Sequence, residues 1–121
     1  MEIGDKVIVF KTYDLLTDNI IDLLFEDRYN IGVIFSMIER KGSIVLYARD
    51  LKKSVNNEPV VYVTKTPLTT KDYTHTLLSV SDVFAICDKF AIKNSSFNEA
   101  ISDLKKNILK LTSDAKNEVV T

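Results

Sequence analysis

Cysteine and histidine occur once each in this chain, glycine three times and proline twice. A single cysteine excludes an intrachain disulfide framework and fits a reducing compartment. One Cys and one His cannot supply the three or four ligands of a zinc site. With Gly4, Gly32 and Gly42 as the only glycines, there is no Gly-rich loop to cradle a phosphate. No apolar run reaches the roughly 18–20 residues that span a bilayer. The opening Met1-Glu2-Ile3-Gly4-Asp5 lacks the basic region of a signal peptide, so a soluble cytoplasmic protein is expected. Charge of one sign is lacking too: the net charge is −1, which gives no global basic field for nucleic acid.

What the chain does have is a ribbon. Residues 31–50 (IGVIFSMIERKGSIVLYARD) place two runs rich in β-branched and aromatic residues around Glu39-Arg40-Lys41-Gly42, the pattern of a β-hairpin with a short loop. Side chains alternate across a strand, and neither alternate set here is fully polar. Ile31, Val33, Phe35 and Met37 oppose Gly32, Ile34, Ser36 and Ile38. A hairpin at a free surface would have one wet face. This one is expected to be central, wrapped in a barrel or covered by a helix. At 121 residues the chain is expected to form one domain, 1–121.

Around the ribbon, residues 6–13 predict a first strand and 15–28 a helix, N-capped by Thr17 or Asp18. Ile20, Ile21, Leu24 and Phe25 form its apolar stripe, and Arg28 suits the negative end of its dipole. Residues 51–59 read as a polar connection with turn chemistry at Asn56-Asn57. Residues 60–66 predict a strand ended by Pro67, followed by a loop of small polar residues over 69–75. Residues 76–80 and 83–87 read as two short strands, the second alternatively a helix capped by Ser81. Ser96-Phe97-Asn98-Glu99 is a capping box opening a C-terminal helix over 96–117. Its Phe97, Ile101, Leu104, Ile108, Leu111 and Ala115 recur at alternating spacings of four and three. Such a seam suits a helix packed along a barrel, or a homodimer formed through Phe97, Ile101, Leu104, Ile108 and Leu111.

Catalysis finds little to work with. A nucleophile needs a base beside it. Cys87 ends the apolar run Val83-Phe84-Ala85-Ile86 and reads as a small buried hydrophobe, while His75 lies in the Thr-rich loop. No carboxylate pair is singled out. The expectation is a protein that is not an enzyme and uses no cofactor or metal.

Binding fares better. Residues 1–30 carry −4 and residues 31–75 carry +3, so a polyanion would meet the middle of the chain. Proteins that read single-stranded RNA combine cations with aromatics on which bases stack. The candidates are Arg40 and Lys41 at the hairpin tip, Arg49, Lys52 and Lys53 beyond its far end, and Lys65 on the next strand. Tyr47, Tyr62 and Tyr73 are the nearby aromatics. Nine residues of extended chain would separate Arg40 from Arg49 by roughly 30 Å.

Taken whole, the opening MEIGDKVIVF, the segment DNIIDLLFEDRYN, the hairpin IGVIFSMIERKGSIVLYARDL and the capped final helix resemble the PrgU-type small proteins linked to pheromone-responsive conjugative plasmids. The likeness spans nearly the full length and rests on order and size. It implies an α+β fold, a small mixed PUA-like β-barrel of about six strands with an early helix and a C-terminal helix. It further implies an RNA-binding regulator of a Gram-positive bacterium that limits plasmid-encoded surface and conjugation proteins. No binding motif of that family maps onto individual residues here, so the cations above stand on their own chemistry. The alternative is a protein-interaction or dimeric scaffold module using the C-terminal helix.

Overall fold

Val7, Ile8, Val9 and Phe10 are all fully or almost fully buried, and they explain the architecture. They belong to β1 (Lys6–Lys11) of a computed structural model that describes residues 1–66 and 73–119, with the final helix's side chains described to Ser113. Pro67, Lys71, most of the 69–75 loop and the Ala115 side chain fall outside the described residues. β1 is followed by α1 (Thr12–Thr17) and α2 (Ile20–Phe25). Then come β2 (Asn30–Arg40), β3 (Ser43–Val55), β4 (Glu58–Thr66) and β5 (His75–Ser79). α3 (Val80–Lys93), a 3-10 turn (Ser95–Phe97) and α4 (Asn98–Val119) complete the chain. The strands make one antiparallel sheet in the order β4-β3-β2-β1-β5.

Alternate residues of β1 enter two different cores. Ile8 and Phe10 face the helices, packing with Leu23 and Leu24 of α2, Val83 and Cys87 of α3, and Ile101, Leu104 and Ile108 of α4. Val7 and Val9 face the other way, against Ile34, Leu46, Ala48, Tyr62 and Leu77. The second core is contributed by strand residues alone, and the sheet curls around it. The curl brings the outer strands near each other, with the Tyr62 ring on β4 4.7 Å from the His75 ring on β5. Gly32 helps β3 approach: a Cβ there would lie 3.2 Å from the Arg49 carbonyl oxygen.

Several expectations need correction. Among the described residues the sheet has five strands rather than about six, is antiparallel rather than mixed, and is not closed into a barrel by hydrogen bonds between β4 and β5. The missing strand, 83–87, lies inside α3. Val83 and Cys87 are one helical turn apart and both buried, a stripe that five residues cannot reveal. Ser79, not Ser81, caps that helix by accepting the Asp82 N–H at 3.1 Å.

The predicted 15–28 helix is two short ones. Asn19 caps the second by accepting the Asp22 N–H at 2.9 Å, and Arg28 lies beyond it, bonded to Asp14 (2.8 Å), Glu26 (3.0 Å) and Asp18 (3.1 Å). The 51–59 connection is a second hairpin, turning on Asn56 and Asn57 with φ of 54° and 66°. α4 begins at Asn98, after a 3-10 turn in place of a Ser96 cap. Its central seam residues, Ile101, Leu104 and Ile108, are buried in the protein's own core.

A candidate nucleic-acid interface on the uncovered sheet face

Residues directly opposite each other in a sheet share a face, so the register sorts the candidate cations. Arg40 pairs with Ser43, Val45 with both Ile38 and Lys65, Tyr47 with both Ser36 and Val63, and Arg49 with both Val33 and Val61. Arg40, Lys65, Tyr47 and Arg49 therefore stand on one face, since Leu46 and Ala48 between them point into the curl. The helices cover this side of the sheet over β1 and β5, leaving the extension of β2, β3 and β4 open. Phe35 is 46% exposed, Val61 43% and Ile38 41%. Phe35 and Tyr47 sit side by side, ring centroids 6.3 Å apart and tilted by 51°.

Phe35 was missed in the sequence because a bulge interrupts the alternation. The pairing shifts between Ile34 and Ser36, so Met37 turns into the curl although it stands two residues from Phe35. The expected 30 Å between Arg40 and Arg49 also shrinks. Arg40 lies opposite Ser43, and six residues of β3 from there to Arg49 span about 20 Å. Three cations thus flank one aromatic pair within the length of a short oligonucleotide.

The remaining candidates go elsewhere. Lys41 is exposed at the tip, in a tight turn with Gly42. Lys52 and Lys53 are exposed where the β3–β4 pairing lapses between Arg49 and Ser54. The buried Asp50 carboxylate shapes that lapse, accepting the Lys53 N–H at 2.6 Å, the Lys52 N–H at 2.8 Å and the Tyr62 hydroxyl at 2.9 Å. Tyr62 is a correction: at 5% exposure, with its hydroxyl on Asp50 and its ring on His75, it has no face free to stack a base. Burial, then the Asp50 carboxylate, push its hydroxyl pKa far upward. Among the described residues, none of Arg40, Lys41, Arg49, Lys52, Lys53 and Lys65 is ion-paired.

His75 and Cys87 lie on opposite sides of the sheet. His75 sits beside Tyr62 with Nδ1 2.9 Å from the Thr74 hydroxyl, and its pKa is lowered by burial, then by Lys11 and Lys53. Cys87 is fully buried in the helix-side core, where burial raises its thiol pKa. Among the described residues no cluster of three His, Cys, Asp or Glu side chains is placed to hold a metal, and no helix is long and apolar enough to cross a membrane. Comparison with protein-family models, with curated proteins and with solved structures finds no match.

Proposed function

We propose that the protein is a non-enzymatic, RNA-binding regulator that lays a single strand across the open face of β2, β3 and β4. The observation that carries this is the alignment of Arg40, Lys65 and Arg49 around the exposed Phe35 and the half-buried Tyr47 beside it. Cations of this kind neutralise phosphates, and aromatic faces stack bases with little regard to sequence. The PrgU-type resemblance extends the proposal to a PUA-like fold and to negative control of plasmid-encoded surface and conjugation genes. A curled antiparallel sheet with helices between its first two strands supports that reading of the fold.

The test is fluorescence anisotropy with a labelled RNA, for the wild type and for Arg40→Glu/Arg49→Glu/Lys65→Glu. The triple variant is expected to lose about a hundredfold in affinity and to flatten the salt dependence by about three counterions. Because all three side chains project from the sheet surface, the urea midpoint should hardly move. Unchanged affinity in this variant rules the face out.

The rival homodimeric scaffold through Phe97, Ile101, Leu104, Ile108 and Leu111 has less support. Its middle three residues already pack against β1 and α2.

A further inference from the structure

At the end of the sheet away from the β2–β3 tip, two concavities meet at Lys53. One is a slot of about 330 Å³ between the α2–β2 turn, β3 and α4, with Ile31, Leu51 and Leu111 as apolar walls. Tyr29, Asn30 and Asn107 bring polar groups to it. The other is a cleft of about 270 Å³ that adds Lys11, Arg28 and Asp14. Arg28 is already held by Asp14, Asp18 and Glu26, whereas Lys11 and Lys53 have no ion-pair partner among the described residues. Lys11 stands directly opposite His75 across β1 and β5, and the field of Lys11 and Lys53 helps hold that ring neutral. The Lys53 backbone is fixed by its 2.6 Å bond to Asp50.

We infer that these two neighbouring concavities, which share Asp27, Tyr29, Asn30 and Lys53 in their walls, together form a nucleoside monophosphate site, distinct from the open sheet face. The base occupies the slot, between apolar walls and opposite the amide of Asn107. The phosphate lies in the cleft on Lys53 and Lys11. Volume limits the occupant: ligand pockets run from about 300 to 1,000 Å³, so a slot of about 330 Å³ takes one nucleoside and not a dinucleotide. Asp27 also lines the slot, and both carboxylate oxygens of Asp50 are engaged by neighbouring donors. Asp27 is therefore the carboxylate available to accept a hydrogen bond, which favours a base with an exocyclic amine over uracil.

The same nucleoside phosphate could be a free nucleotide or the phosphorylated end of an RNA strand. AMP, CMP, GMP, UMP, adenosine and inorganic phosphate are titrated separately into the ¹⁵N-labelled protein, with the amides of Tyr29, Leu51 and Lys53 as reporters. At least one of AMP, CMP and GMP is expected to bind more tightly than UMP, and more tightly than adenosine or phosphate alone by about tenfold. Lys53→Glu and Lys11→Glu, both at exposed positions, should each weaken that nucleotide by about tenfold or more while the spectrum stays folded. Competition by a pentanucleotide with a terminal phosphate, and not by its dephosphorylated form, assigns the site to a strand end. Failure of both pentamers to compete assigns it to the free nucleotide, and either result supports the site. Absence of shifts at these amides with every nucleotide overturns it, as does full affinity in Lys53→Glu. A loss of nucleotide affinity confined to Arg40→Glu/Arg49→Glu/Lys65→Glu would place the ligand on the sheet face and also overturn it.

Discussion

One sheet carries two kinds of apolar surface. Around β1 and β5, residues facing either way are enclosed, by helices on one side and by the curl on the other. Along the β2–β3 hairpin the sequence is equally apolar on both faces, yet beyond Val33 and Leu51, which are buried near the helices, only the face toward the curl is buried. Leu46 and Ala48 are 2% and 0% exposed, whereas Phe35 and Ile38 are 46% and 41% exposed. Alternation fixes which residues share a face, and it is silent about what covers that face. An apolar face that the chain leaves open, bordered by cations with no ion-pair partner among the described residues, is where a partner is to be sought.

The sharpest way to break this contrast is to truncate one residue from each surface. Ile108→Ala removes a fully buried side chain from the helix-side core and should cost about 2–5 kcal/mol by urea denaturation. Phe35→Ala should cost less than about 1 kcal/mol in stability, while weakening RNA by about tenfold. If Phe35→Ala proves as destabilising as Ile108→Ala, the open face is a core in its own right and the comparison fails. Next in size is Tyr62→Phe. It leaves Asp50 Oδ2 without its 2.9 Å donor inside the curl, a loss of about 1–3 kcal/mol that RNA affinity should not follow.

Much of the sheet was legible and most of the site was not. The central hairpin, the strand of residues 60–66 and the late helix each follow from local pattern. The early and third helices were misjudged because Asn19 and Ser79 supply caps that only the folded backbone distinguishes from neighbouring Thr17, Asp18 and Ser81. Arg40, Tyr47, Arg49 and Lys65 were found as residue types, but their shared face depends on a register that the sequence does not state. Phe35 was hidden by the bulge. Tyr62 was overrated because its partner, Asp50, is twelve residues away and the contact exists only once β3 and β4 pair.

Smaller effects test the end of the sheet that the curl encloses. The His75 pKa is lowered in the fold, so below about pH 6.5 the unfolded chain takes up the proton more readily than the folded one. Stability should therefore be constant above that value, fall as pH drops through it, and level off below the folded-state pKa. His75→Gln should remove this part of the pH dependence in urea titrations between pH 7 and 5. A slope that survives the substitution assigns it to other groups.

The smallest change lies at the tip of the open half. Lys41 holds a φ of 50°, a left-handed conformation that favours Gly and Asn, and Gly42 follows at 78°. Lys41→Asn would complete the Asn-Gly pair preferred in two-residue hairpin turns and should raise stability by about 0.5–1 kcal/mol. It also removes one positive charge at the edge of the proposed RNA path. A strand running from Arg49 past Tyr47 and Lys65 stops at Arg40, at the base of the turn, so affinity should fall by no more than about threefold. A fall of tenfold or more would carry the strand around the tip itself. The lysine would then be held in its costly backbone conformation for the sake of the phosphate it meets.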